Sequence, residues 1–288
     1  MLIRTTADLL PILRQRLSAT SETPGLDAQV LLAYVLERPR TWVLAHPEVI
    51  PSPDQEHNLK VCLARLEQGE PLPYVLEHWE FYGLDFLVSP AVLIPRPETE
   101  LLVEQALAWL RATPGRRQAA DVGTGSGCIA VSLAVHFPDL HVVASDISRE
   151  ALKTARLNAA RHAVSGQMTC VQSHLIPPTG RSFDLICANL PYIPAGKLEQ
   201  LKVARQEPHL ALDGGPDGLD LIRSMIGSAP DCLARGGLLL MEIESSQGAS
   251  VYTLAKRAFP QAEVNLLPDL AGNDRLVRVQ NANPADTS

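Results

Sequence analysis

The sequence predicts an α/β fold: a seven-stranded, mostly parallel sheet with helices on both faces, preceded by a small helical bundle and a β-hairpin. Three observations predict it. From residue 119 onward, short apolar runs alternate with stretches of helical periodicity. Those runs are continuously apolar, as strands buried on both faces are. Residues 1–72, by contrast, carry helical spacing with no strand-like runs between.

In the first segment, Leu9, Leu10, Leu13 and Leu17 fall at helical spacing, as do Leu31, Leu32 and Val35 with Leu36 beside them. Pro24 and Gly25 open the second helix, and Pro47, Pro51 and Pro53 break the chain after it. A third helix, centred on NLKVCLARLEQG, ends at Gly69. Residues 73–97 are aromatic and β-branched, with Gly83 placed for a turn, which predicts a hairpin connector. The α/β domain is assigned to residues 98–280. It opens with a helix over LLVEQALAWLRA, for which Thr99 is the expected cap and the acids Glu98 and Glu100 suit the positive end. Strands are predicted at 119–123, 141–146, 167–173, 183–189, 236–244, 262–267 and 275–280. Helices are predicted at 126–136, 149–161, 217–234 and 247–259. Gly272, Asn273 and Asp274 supply turn chemistry between the last two strands, so the sheet should end in an antiparallel hairpin. Residues 281–288 are expected to be a disordered tail.

Composition bounds the function. The chain has 288 residues, 46% hydrophobic and 20% charged, ordinary for a globular protein of one large domain or a large and a small one. A formal charge of −7 offers no basic footprint, so no direct nucleic-acid partner is expected. Cys62, Cys128, Cys170, Cys187 and Cys232 form no CxxC pair, which favours free thiols in a reducing cytosol over a disulfide or metal site. The first helix carries charges along its apolar stripe, unlike a signal peptide, and no apolar run approaches the ~20 residues of a membrane span. A soluble, cytoplasmic protein is expected.

The segment Asp121-Val122-Gly123-Thr124-Gly125-Ser126-Gly127 falls where the first sheet strand meets its helix. Glycines there allow a tight turn and close approach to a ligand. A dinucleotide fingerprint would require Gly or Ala at position 128, which is Cys128. The G-x-G-x-G spacing instead resembles the loop of class I methyltransferases, whose ligand, S-adenosyl-L-methionine, carries no pyrophosphate. Asp146, at the end of the second strand, could accept from both ribose hydroxyls, or could simply cap the next helix near Ser148. Asp121 is placed to orient the ligand's cationic amino-acid portion.

At the end of the fourth strand stands Asn189-Leu190-Pro191-Tyr192, on the edge of an open α/β sheet where ligands bind. An amide nitrogen is a poor nucleophile because its lone pair is delocalised. The Asn189 side-chain oxygen and the Leu190 backbone oxygen can accept its two N–H bonds and aim the lone pair at a methyl group. Pro191 fixes the backbone, and Tyr192 offers a face for a planar amide. Exocyclic amines of adenine or cytosine present a similar NH2, so the acceptor stays open at this point. The bland alternative is a turn in which Asn189 bonds only local backbone.

Over residues 1–280 the chain resembles the protein-(glutamine-N5) methyltransferases that act on peptide chain release factors. The resemblance adds Leu26-Asp27-Ala28, the connector with Arg96-Pro97-Glu98-Thr99-Glu100, the segment from Glu207-Pro208 to Leu219, and Asp269 to Arg275. It implies a five-helix N-terminal domain that helps recognise substrate, a hairpin linker and a class I, Rossmann-like, seven-stranded methyltransferase domain. It implies methylation of the glutamine in the Gly-Gly-Gln loop of class-1 release factors, with S-adenosyl-L-homocysteine as product. Cofactor contacts carry over to Asp121, Gly123, Thr124, Gly125, Ser126, Gly127, Asp146, Asn189 and His174. Catalytic and substrate contacts carry over to Asn189, Leu190, Pro191 and Tyr192, with Arg96 and Glu98 beside them. The sequence departs from the family at Leu190, usually proline, at Glu77, often glycine, and at Ser173, usually an acid. Asn-Leu-Pro-Tyr also resembles the adenine dimethyltransferases of ribosomal RNA. A nucleic-acid amino-methyltransferase, a glutamine methyltransferase of a ribosomal protein and a non-catalytic scaffold are therefore the competing readings.

Overall fold

The computed structural model describes residues 4–282 other than Thr179 and Arg181. The chain divides into two compact units, Met1–His78 and Trp79–Ser288.

The first unit consists of α1 (Thr6–Leu17), α2 (Pro24–Leu36), α3 (Arg40–Ala45), α4 (Pro53–Glu67) and α5 (Leu72–Leu76). Capping boxes start α1 at Thr5 with Asp8, and α4 at Ser52 with Gln55. Each satisfies two otherwise orphaned amides, and losing such a cap typically costs about 1 kcal/mol. Leu9, Leu13 and Leu17 of α1 are buried with Leu31, Leu32 and Val35 of α2 and Leu63 and Leu66 of α4. Each fully buried leucine contributes roughly 2 kcal/mol. Two of the five helices are not among those read from the sequence. α3 is too short to display a period. α5 occupies residues assigned to the connector, because its five consecutive buried residues read equally well as strand. It ends at Glu77, in a left-handed conformation with φ 63°. That conformation accounts for the glycine usual there, since only glycine adopts it freely.

The second unit begins at the hairpin of β1 (His78–Phe81) and β2 (Leu84–Leu87). Tyr82 and Gly83 both have positive φ, as a two-residue hairpin turn of the favoured twist demands. Then come α6 (Glu100–Ala112), β3 (Gln118–Val122), α7 (Cys128–His136), β4 (His141–Asp146), α8 (Arg149–Arg161), β5 (Met168–Gln172) and β6 (Phe183–Ala188). α9 (Ala195–Leu198), α10 (Asp220–Cys232), β7 (Leu233–Glu242), α11 (Gly248–Ala258), β8 (Glu263–Pro268) and β9 (Asp274–Gln280) complete it.

The sheet order is β5-β4-β3-β6-β7-β9-β8, parallel except for β9, which runs antiparallel to both neighbours. Side chains of consecutive strand residues alternate between two cores. Ala119, Leu185, Cys187, Leu238 and Leu240 face one with α6 and α7, while Ala120, Ile186, Ala188, Leu239 and Met241 face the other with α10 and α11. Both faces are thus covered, which is why the strands read as unbroken apolar runs. Of the expected tail, residues 283–288 lie outside the described residues. Asn281 and Ala282 are not loose: Asn281 N donates to Gly237 O, and Gly236 N donates to Ala282 O. No helix among the described residues is long and apolar enough to cross a membrane.

Candidate active site at the switch point of the sheet

Strands β3, β4 and β5 step outward in one direction and β6 and β7 in the other, so the chain reverses between β3 and β6. Loops leaving the carboxyl ends of those two strands cannot close over each other, and a crevice opens there. A cavity of about 440 Å3 occupies it, lined by the loop after β3, Asp146, Asn189, Leu190 and Pro191, among others.

One wall is the glycine-rich loop. Gly123 N and Thr124 N both donate to Ser145 O at 2.9 Å, tying the loop to β4. Gly127 has φ 82°, a conformation a side chain strains, and a Cβ there would lie 3.1 Å from Ala155 of α8, close enough to push that helix aside. Asp146 accepts from Gly125 N at 2.9 Å through Oδ2 and from Ser148 N at 2.8 Å through Oδ1. Capping of α8 belongs to Ser148, whose hydroxyl accepts from Ala151 N, so the cap is not Asp146's role. Each Asp146 oxygen keeps acceptor capacity beyond these bonds, and the residue lines the cavity. Asp121 is fully buried and does not line the cavity. Its Oδ2 accepts from Thr124 Oγ1 at 2.5 Å and from Ala130 N at 3.2 Å, bracing the loop from beneath, while Oδ1 has no partner among the described residues. Burial pushes its carboxyl up to about 7.

The other wall is Asn189–Tyr192. Asn189 Nδ2 donates to Thr99 Oγ1 at 3.0 Å. Among the described residues neither Asn189 Oδ1 nor Leu190 O accepts a hydrogen bond, so two oxygens remain free at this edge. The Leu190 side chain is buried in the second core and abuts Gly123, linking the two walls. Tyr192 is held by its backbone: Tyr192 O accepts from Gln247 Nε2 at 3.0 Å. Ile193 N donates to Leu212 O and Gly214 N to Ile193 O, so the Glu207–Leu219 segment serves as the scaffold of Asn189–Tyr192. The Tyr192 ring packs on the second core and does not line the cavity. Burial pushes its phenol up to about 12, leaving it protonated.

The remaining predicted residues divide. Thr124, Ser126, Arg96 and His174 line the cavity, and His174 is exposed there. Ser145 Oγ donates to Leu175 O at 3.1 Å, holding the turn that carries His174. Arg96 is ion-paired with the buried Glu207, whose other oxygen accepts from Ile94 N at 3.0 Å. Glu98 is exposed and does not line the cavity.

Three supporting residues went unread in the sequence, and Glu207 was read only as the start of a motif. Asn158 is completely buried on α8 and bonds Ser126 O, Leu87 O and Leu87 N, stapling the glycine loop to β2. A signal existed, since Asn158 interrupts the buried stripe of Ala151, Leu152, Ala155 and Ala159. Glu207, Glu242 and Gln247 are buried polar groups whose partners lie far along the chain, which no local pattern reveals. Thr99, expected as a cap, makes no capping bond; its hydroxyl donates to Glu242 Oε2 at 2.6 Å instead.

Residues 8–76 match the family model described as PrmC N-terminal domain, and residues 98–207 match that of the methyltransferase small domain. The release factor glutamine methyltransferase of Moorella thermoacetica is 43% identical over 88% of this chain and 90% of its own. That of Neisseria gonorrhoeae is 43% identical over 89% of this chain and 93% of its own. The chain belongs to the release factor glutamine methyltransferase family. A solved methyltransferase from Pyrococcus furiosus, 17% identical, covers 80% of this chain and 100% of its own with a TM-score of 0.51, a likeness of fold. Within this family the helical unit and the methyltransferase sheet expected from the sequence are both present.

Proposed function

We propose that this methyltransferase moves a methyl group from S-adenosyl-L-methionine to the side-chain amide nitrogen of the glutamine in the Gly-Gly-Gln loop of class-1 release factors. The observation that carries the reading is the pair of free acceptors, Asn189 Oδ1 and Leu190 O, across one cavity from the carboxylate of Asp146.

The donor set suits this cofactor. Asp146 has acceptor capacity for a ribose diol, the glycine loop leaves backbone room, and Ile147, Ala151 and Leu175 give an apolar surface for a heterocycle. Bound there, the cofactor supplies an electrophilic methyl on a sulfonium, which departs as a neutral thioether. Asn189 Oδ1 and Leu190 O accept the two N–H bonds of the glutamine amide, fixing its rotation and drawing its nitrogen out of conjugation toward the methyl, and the proton the methylated nitrogen sheds passes to solvent. Leu190 serves as well as the usual proline because it acts through its backbone, while its side chain fills the core beside Gly123. Glu207 clamps Arg96 and the backbone of Ile94 on the cavity rim. We also propose that residues 1–72 contribute contacts to the release factor through exposed apolar side chains such as Leu44 and Ile50.

The test supplies radiolabelled cofactor with release factor, ribosomal protein or RNA, followed by mapping of the methylated atom. Label on the glutamine of the release factor is expected, and label on RNA alone would overturn the reading. Asn189→Ala should abolish transfer while cofactor binding persists; undiminished turnover refutes its assignment. Leu44→Ser with Ile50→Ser should raise KM for the release factor without affecting a short Gly-Gly-Gln peptide. An unchanged KM removes the helical unit from recognition.

A further inference from the structure

Glu242 ends β7 as a carboxylate 2% exposed at the foot of the acceptor wall. Burying an acid there is costly, and an apolar residue would be cheaper. Its partner is Thr99 Oγ1, donating at 2.6 Å, and Thr99 Oγ1 in turn accepts from Asn189 Nδ2 at 3.0 Å. Three residues from separate elements, 143 and 90 positions apart, form one chain of hydrogen bonds ending at the amide that faces the cavity.

The polarity of that chain is set by the capacities of its members. An ionised carboxylate can only accept, so the single proton of the Thr99 hydroxyl points at Glu242. The hydroxyl then has only lone pairs to offer Asn189, which must present its NH2 group. Asn189 Oδ1 is left facing the cavity, the one orientation in which it can accept from an incoming NH2. The reverse orientation would set donor against donor.

We propose that Glu242, acting through Thr99, fixes which way the Asn189 amide points, and that both are positioning residues for methyl transfer. The inference rests on the proposed role of Asn189. It explains why Thr99 leaves α6 uncapped and why an acid survives in the core. The charged and titratable groups around Glu242 are Arg275 of β9, Arg96 and Glu98 before α6, Cys128 at the start of α7, and Tyr192. Burial outweighs the Thr99 bond and the arginines, and pushes the Glu242 carboxyl up to about 7. Protonation would give the acid a donor of its own, free the Thr99 proton, and allow the Asn189 amide to turn over. Turnover should therefore fall as pH drops through about 7.

The experiment compares Glu242→Gln, Thr99→Val and Thr99→Ser for kcat, for KM toward the release factor, and for cofactor Kd by calorimetry. Active-site concentration is taken from the cofactor stoichiometry, so partial unfolding does not enter kcat. Thr99→Val is expected to lose roughly ten- to a hundredfold in kcat, and Glu242→Gln, whose amide can turn either acceptor or donor toward Thr99, a smaller part of that, while KM and Kd stay within about threefold. Thr99→Ser, which keeps the hydroxyl, should regain most of what valine loses. The acid limb of the wild-type kcat profile should vanish in Glu242→Gln and persist in Asp121→Asn. Wild-type kcat in Glu242→Gln and Thr99→Val overturns the proposal; so does an unaltered acid limb in Glu242→Gln. If Asn189→Ala is inactive in the same assay, such a result removes the relay alone. If Asn189→Ala is fully active, the reading of the site falls with it.

Discussion

On the wall formed after β3, the bonds that shape the loop come from Asp121, Ser145, Asp146 and Asn158, whereas on the wall after β6 they come from Thr99, Leu212 and Gln247. The span from Gly125 to Asp146 is 21 residues, that from Asn189 to Thr99 is 90 and that from Tyr192 to Gln247 is 55. The first wall is assembled mostly by two adjacent parallel strands and the loop between strand and helix, with Asn158 of α8 tying that loop to β2. The second is assembled by the whole domain. A wall built locally can vary little without losing its ligand, while a wall built from distant parts can be disarmed from many places with its ligand-binding neighbour intact.

The sharpest way to break that contrast is Gly218→Ala. A Cβ at Gly218 would lie 2.2 Å from Tyr192 O, and φ there is 79°. The substitution must displace the acceptor wall, and turnover should fall roughly a hundredfold, as displacements near 1 Å do elsewhere. Cofactor Kd should hold, and a Kd that weakens in parallel would mean the walls are not separable. Asp146→Ala is the converse: cofactor affinity should weaken by about tenfold or more, the worth of hydrogen bonds to a charged acceptor, with kcat at saturation less affected. Titration calorimetry beside steady-state kinetics distinguishes the two patterns.

A smaller effect links both walls to pH. Asp121 and Glu242 are each pushed up to about 7 by burial, above unperturbed values of 3.8 and 4.5. The folded chain therefore holds these protons more tightly than the unfolded one, so their linked stability is greatest at acid pH and declines as pH rises from about 4 toward 7. Asp121→Asn should lessen that slope in melting experiments across pH, and adding Glu242→Gln should lessen it further. Activity would need the ionised Glu242 that folding disfavours. The smallest effect lies outside both walls. Glu77→Gly relieves a left-handed glutamate and should raise stability by about 1 kcal/mol, leaving kcat and cofactor Kd unchanged. A change in either constant would tie the end of α5 to the site.

Legibility in the sequence followed the same division. The strands, the glycine loop and Asp146 announced themselves because strand burial and loop conformation are local requirements written in consecutive residues. Asn189–Tyr192 was legible as a segment at a strand end, yet its supports were not. Thr99 read as a cap and Glu242 as the end of a strand, since nothing adjacent to either hints at the other. α5 read as extended because a short apolar run carries no period to separate helix from strand. Tyr192 was read as offering a face to a planar amide, and its ring, half-buried, packs with part of its surface on the second core.

The sequence by itself determined the alternation of strands and helices, the parallel sheet and its closing antiparallel hairpin, because hydrophobic periodicity and turn chemistry act over a few residues. Tertiary structure alone decided which buried polar groups meet. The pairing of Glu242 with Thr99, and through it the direction of the Asn189 amide, exists only once β7, α6 and the end of β6 are packed together and water is excluded. Desolvation leaves Glu242 and the Asn189 amide to be joined through the Thr99 hydroxyl between them, and that constraint has no counterpart in the linear chain.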